Sequence, residues 1–215
     1  MIKAIIFDLD GLLANTEILH YKAYKTILSN YGIQLNKEDF ILHWTTLGLG
    51  ISEFLQHRGL NFDANKIRFE KLSLFEKLLD KNLNPMPFAI EKVKEFKSDY
   101  ILIIASSSIK HSVYFVLEKL DLLKYFDLIL SRDDVKKPKP DPEIYKLALN
   151  HFKLNYNEAV VIEDSSKGCK AAISIDIKAI AVPNEFTIND NFTDVSYILD
   201  TLEDLNNELI QNLWK

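Results

Sequence analysis

Cysteine is almost missing from this 215-residue chain, where Cys169 stands alone. A single thiol closes no internal disulfide, and the setting expected is a reducing one. A basic excess is missing too. Lys and Arg number 26 against 31 Asp and Glu, a net charge of −5, so the chain carries no electrostatic footprint for nucleic acid. No apolar run approaches the length of a membrane span. One lysine and a short apolar run ending at Asp8 do not make a signal peptide. Repeats and low-complexity tracts are also missing. The expectation is a cytoplasmic monomer with neither nucleic acid nor membrane as partner. What is present is ordinary globular composition, 47% hydrophobic and 27% charged, on a chain long enough for one core plus a smaller subdomain.

Five short apolar runs read as buried parallel strands: Ile2–Phe7, Tyr100–Ala105, Phe126–Leu130, Ala159–Ile162 and Lys178–Val182. Helical stretches separate most of them, which argues for a doubly wound α/β sheet. The first gap is far longer than one crossover helix needs. It reads as helical. Thr16 is a plausible N-cap, and His20, Tyr24, Ile27, Leu28 and Tyr31 share a face before Gly32 stops the helix. Ile51–His57 and Ile67–Leu79 continue the pattern. Residues 15–84 are therefore expected to form a helical insertion, a cap placed as a lid, with 1–14 and 85–215 forming the core. Leu202, Leu205, Leu209 and Leu213 read as an amphipathic closing helix.

Four strand ends carry chemistry. The first run ends in Asp8-Leu9-Asp10-Gly11. A bare Asp-x-Asp is usually a solvated turn. At the end of a buried strand, where open α/β sheets bind ligands, it is a catalytic pair. One carboxylate can attack phosphorus and the other can serve as acid and base. Together they also offer hard oxygens to Mg²⁺. Ser106 follows the second run and precedes a helix, so Ser106 and Ser107 suit a phosphate as well as a cap. The segment Lys136-Lys137-Pro138-Lys139-Pro140-Asp141-Pro142 is stiffened by prolines. Lys137 is read as the ammonium that neutralises crowded charge, with Lys136 and Lys139 as solvated loop residues. The fourth run ends in Glu163-Asp164, which could complete a Mg²⁺ shell.

These segments resemble the four motifs of the haloacid dehalogenase-like hydrolase superfamily. Asp8-Leu9-Asp10-Gly11 looks like its first motif, Ser106 its second, Lys137 within Lys-Pro-x-Pro-Asp its third, and Glu163-Asp164-Ser165-x-x-Gly168 its fourth. The insertion resembles the helical cap of its phosphoglucomutase and phosphoglycolate phosphatase group. The resemblance implies a Rossmann-like core with strand order 5-4-1-2-3 and Mg²⁺-dependent phosphoryl transfer. It implies Asp8 as nucleophile, Asp10 as general acid and base, and Ser106 and Lys137 as holders of the phosphoryl group. Metal ligands would be Asp8, the Asp10 carbonyl and Asp164, with Glu163 adjacent or sharing. His20 resembles a histidine of the first cap helix and is a candidate for contacting substrate or sensing closure.

The expected activity is a phosphatase for a small phosphorylated metabolite, a sugar phosphate among the candidates. A phosphomutase of the β-phosphoglucomutase type shares all four motifs. Gly50-Ile51 occupies the cap stretch where such mutases tend to carry a basic residue. A haloacid dehalogenase would need neither Asp10 nor the Glu163-Asp164 pair. A non-catalytic binding protein would not need the full set.

Overall fold

The computed structural model describes residues 1–214. The chain opens with β1 (Ala4–Phe7) and leaves through the loop 9–14 into α1 (Glu17–Asn30), α2 (Lys37–Phe40), α3 (Ile51–His57) and α4 (Ala64–Asn82). It returns through α5 (Ala89–Phe96), β2 (Ile101–Ala105), α6 (Lys110–Lys119), β3 (Leu128–Leu130), α7 (Glu143–Phe152) and β4 (Ala159–Glu163). It closes with α8 (Ser166–Ile173), β5 (Lys178–Ala181), β6 (Tyr197–Ile198) and α9 (Asn207–Gln211). The residues group into two compact units, Thr16–Leu83 and the remainder.

The larger unit is built on one parallel sheet in the order β3-β2-β1-β4-β5-β6. Read from the other edge, this is the implied order with one strand added. The addition, β6, is two residues long with both exposed, so no apolar run announces it. The central strands β1 and β4 are buried at every position, as near-continuous apolar strands must be when both faces are covered. Ile6, Ile103, Val161 and Ala179 point to one face and meet Ile144, Tyr145 and Ala148 of α7 and Cys169, Ala171 and Ala172 of α8. Cys169 is thus a core residue, and burial raises its thiol pKa so that it stays protonated.

The expected closing helix is instead two pieces, a 3₁₀ turn at Leu202–Asp204 and the short α9. Leu205 is extended, and Asn206 caps the new helix by accepting the N–H of Leu209 at 2.9 Å. The leucines keep their apolar spacing, but the cap residue restarts the helix. No helix among the described residues is long and apolar enough to cross a membrane.

The smaller unit is helical throughout. α1 packs on α4, burying Leu19, Ala23, Tyr24, Ile27 and Leu28 against the α4 stripe of Ile67, Lys71, Phe75 and Leu79. Asp63 caps α4 through the N–H groups of Asn65 and Lys66. After α2 the chain makes a π-helical turn at Ile41–Thr46, which seats Trp44 among Tyr24, Phe40 and Phe54.

His20 stacks on Phe75, with ring centroids 3.8 Å apart. Its Nδ1 accepts from the Lys71 ammonium at 2.6 Å. Burial, reinforced by Lys71, holds its pKa well below the ordinary 6.5. The folded state therefore keeps His20 neutral while the unfolded chain takes a proton. The sign follows: its contribution to stability is complete above about pH 6.5 and is lost as pH falls from there through the depressed folded value. Urea unfolding of His20→Gln should accordingly show a flatter loss of stability between pH 7.5 and 5.5 than the wild type. Equal slopes would count against a His20 held neutral by its surroundings.

Candidate active site

Three strands deliver the site. Phe7 pairs with Ile104 on one side and Ile162 on the other, so the next residues in register, Asp8, Ala105 and Glu163, stand side by side at the carboxyl end of the sheet. This is where a parallel sheet turns its loops toward a ligand. The chain then turns sharply. Leu13 and Ala14 donate to the Leu9 carbonyl and Gly11 donates to Ala14. Gly11 sits at φ +85°, and a Cβ there would lie 2.4 Å from Asp164 Oδ2. Both conformation and space require glycine.

Asp8 is buried. Its Oδ1 accepts from the ammonium of Lys139 at 2.7 Å. The same ammonium donates to Glu163 Oε1 and to the Ala105 carbonyl, each at 2.7 Å, so all three of its hydrogens are used. The lysine expected there, Lys137, is at the surface: its side chain is 76% exposed, against 4% for Lys139, and it faces Asp141. Lys-Pro-x-Pro fits this segment twice, two residues apart. In the second register the lysine is followed by Pro140-Asp141-Pro142 and the start of α7. The Asp141 N–H closes a turn on Pro138, with Lys139 on the inside of the loop. Glu143 clamps the approach, accepting the N–H groups of Lys136 and Lys137 at 3.0 and 2.9 Å.

Glu163 is saturated. Besides Lys139, its Oε2 accepts the N–H and hydroxyl of Ser165 at 2.9 and 2.8 Å, and the Tyr145 hydroxyl lies 3.5 Å from Oε1. The Tyr145 ring is 5.2 Å from the ammonium. Burial alone would raise Glu163, but Lys139 and Ser165 outweigh it and hold its pKa below the usual carboxylate value. Burial alone would lower Lys139, but Asp8 and Glu163 outweigh it and hold its pKa well above the lysine norm. Asp8 is pushed well above its norm by burial, which Lys139 opposes and Glu163 and Asp10 reinforce.

Gly168 gives Glu163 its room. A Cβ on Gly168 would lie 1.6 Å from Glu163 Oε1. Helix propensity favours alanine there by about 1 kcal/mol. Displacing a buried, ion-paired carboxylate costs more. Gly168→Ala is expected to lose about 3 kcal/mol of stability in urea unfolding, and an unchanged midpoint would contradict the tight packing.

Ser106 is fully buried. Its hydroxyl donates to Asp10 Oδ2 at 3.0 Å and accepts the Ser108 N–H at 2.9 Å. Ser106 therefore orients Asp10. Its neighbour Ser107 is exposed, and among the described residues its N–H and hydroxyl have no partner. α6 starts only at Lys110. The serines thus line a loop before the helix and are not its cap.

Asp8, Glu163 and Asp164 each place a carboxylate oxygen within 4.8 Å of the others, a hard oxygen set that suits Mg²⁺. The Asp10 side chain is outside that cluster and accepts from Ser106. Of the acid pair, Glu163 is committed to Lys139 and Ser165. Asp164 is steadied by a neutral donor, Asn184 Nδ2 at 2.7 Å. Three residues that sequence reading did not pick thus frame the site: Lys139, Tyr145 and Asn184. The first had a signal, the doubled Lys-Pro-x-Pro. The other two had none beyond residue type.

A parallel sheet with an Asp-x-Asp turn at β1, a serine after β2, a buried lysine before α7 and an acid pair after β4 is the plan of one class of hydrolase. A match to the haloacid dehalogenase-like hydrolase family spans residues 5–182, and the chain belongs to that family. Its sequence is 35% identical over 187 residues to a phosphorylated carbohydrates phosphatase of Thermotoga maritima, covering 83% of each chain. Its fold matches CbbY from Rhodobacter sphaeroides in complex with phosphate at a TM-score of 0.85 and 28% identity, covering 98% of this chain and 100% of that one. A putative β-phosphoglucomutase from Thermotoga maritima matches at 0.76 and 26% identity, covering 98% and 97%. The protein is an enzyme of the phosphoric monoester hydrolase class.

Proposed function

We propose that the protein is a Mg²⁺-dependent phosphatase of a small phosphorylated carbohydrate, working through a phosphoryl group carried on Asp8. The observation that carries this reading is the buried contact of Asp8 with Lys139, beside Asp10 and the acid pair. An ionised carboxylate is the form that attacks phosphorus, and Lys139 is the protein's own means of keeping it ionised against burial.

In the first half-reaction an Asp8 oxygen forms a bond to phosphorus as the ester oxygen leaves. Asp10, held by the Ser106 hydroxyl, gives that oxygen its proton. In the second half-reaction Asp10 takes a proton from water, the water oxygen bonds to phosphorus, and Asp8 departs as carboxylate. Ser107, with its unpartnered N–H, suits the phosphoryl oxygens. Asp8, Asp164 and the Asp10 carbonyl are assigned to Mg²⁺, which when bound supplies Lewis-acid neutralisation of phosphoryl charge. Glu163 is assigned to Lys139 and not to the metal. The helical unit, entered at Thr16 and left at Leu83, is assigned the choice of substrate.

The name of the Thermotoga maritima relative supports a phosphorylated carbohydrate as substrate. The fold likeness to a putative β-phosphoglucomutase keeps a phosphomutase as the second reading. A panel of sugar phosphates, assayed for phosphate release and for isomerised product with Mg²⁺ present, separates the two. Release from one carbohydrate class is the expected result. Isomerisation without net release would replace the phosphatase reading with the mutase one.

A further inference from the structure

Asn184 lies in the loop after β5, outside every motif, yet each polar atom of its side chain is engaged. Nδ2 donates to Asp164 Oδ2 at 2.7 Å and to the Gly11 carbonyl at 2.9 Å. Oδ1 accepts the Phe186 N–H at 2.7 Å. Its backbone is pinned as well. The Asn184 N–H donates to Thr187 Oγ1 at 3.0 Å, and its carbonyl accepts from Thr187 and Ile188 at 3.0 and 2.8 Å. Phe186 and Thr187 are both buried, so the turn that carries the amide is anchored in the core.

We propose that Asn184 is a positioning residue for the metal site: it fixes the plane of the Asp164 carboxylate and ties it to the Asp-x-Asp turn through Gly11. This rests on the reading of Asp164 as a Mg²⁺ ligand. An aspartate carboxylate turns about two single bonds. Holding one oxygen with a directional N–H fixes where the other points. The donor is also neutral, so this contact orients the Asp164 carboxylate without itself bringing a cation to compete for its charge. The space is cut for this bridge, because a Cβ on Gly11 would lie 2.6 Å from Asn184 Nδ2.

The test is Mg²⁺ binding by calorimetry on the full chain, with turnover of p-nitrophenyl phosphate measured across Mg²⁺ concentration. Asn184→Ser is the informative variant. Its hydroxyl can still accept the Phe186 N–H and keep the turn, but it is too short to reach Asp164. Mg²⁺ affinity should weaken by about 10- to 100-fold, the usual cost of losing an outer-shell partner. At saturating Mg²⁺, kcat should return to within about threefold of wild type, which a merely structural defect would not allow. Asn184→Thr, whose hydroxyl also can accept the Phe186 N–H and is also too short to reach Asp164, carries the same comparison if the serine variant is unstable to heat without metal. Wild-type Mg²⁺ affinity in these variants overturns the proposal, as does a kcat that saturating metal fails to restore. Asp164→Asn is the control beneath it. If that variant binds Mg²⁺ as tightly as wild type, the assignment of Asp164 falls, and the role of Asn184 with it.

Discussion

Asp8→Asn is expected to cut turnover by about 10⁴-fold or more, because the proposed mechanism carries the phosphoryl group on the Asp8 carboxylate. The stability of the same variant should move the other way or hardly at all. Asp8 is nearly isosteric with asparagine, and its raised pKa means that its charge opposes folding at neutral pH. The sign is that of a carboxyl whose folded pKa lies above its unfolded one. Its contribution favours the folded state at low pH and diminishes as pH rises through the carboxylate range. Removing the charge relieves that cost, while Lys139 keeps Glu163 as partner. The measurement is phosphate release alongside urea unfolding at pH 7. Substantial activity in a clean preparation would sink the covalent mechanism. A large loss of stability would show that Asp8 is structural.

The second large effect is at Lys139. Lys139→Met should lose about 10³-fold in kcat, the scale seen when a preorganised charge stabiliser is removed from an active site. It should also destabilise the fold by about 3–5 kcal/mol, since Asp8 and Glu163 would face each other buried and without a cation. Part of that cost will be avoided by Asp8 taking a proton, which would itself remove the carboxylate proposed to attack phosphorus. Lys137→Met, two residues away and exposed, is the matched control. It should behave as wild type in both assays, as surface substitutions do, within about 0.5 kcal/mol. Equal losses in the two variants would mean that the loop as a whole matters and not the buried ammonium.

The contrast between these lysines marks the limit of what sequence can tell. Asp8, Ser106 and Glu163 were legible because each ends a buried apolar strand, and strand register then brings them together. The lysine comes from a loop, where no periodicity sets the register and Lys-Pro-x-Pro offers two placements. Direction there depends on a turn closed by Asp141 and on the clamp of Glu143, contacts between residues whose types alone predict nothing. Asn184 was invisible for the same reason. An asparagine in a loop is commonplace until folding brings it within 2.7 Å of Asp164 from 20 residues away. The parallel sheet was legible in its five apolar runs. β6 was not, because an exposed two-residue edge strand needs no hydrophobic pattern. The helix expected at the C-terminus failed where Asn206 offered a better local bond than continuation.

The Asn15 N–H donates to the Asn84 carbonyl at 2.9 Å, and Ala14 bridges Pro85. Where the chain departs and where it rejoins are thus stitched together. Topologically, everything from 16 to 83 is a single long loop hung from one closed hairpin mouth. A loop whose ends already touch imposes no particular length or shape on what it contains. The larger unit can therefore stay closed at Asn15 and Asn84 while the excursion is lengthened, shortened or replaced, and a protein engineer can cut and splice there.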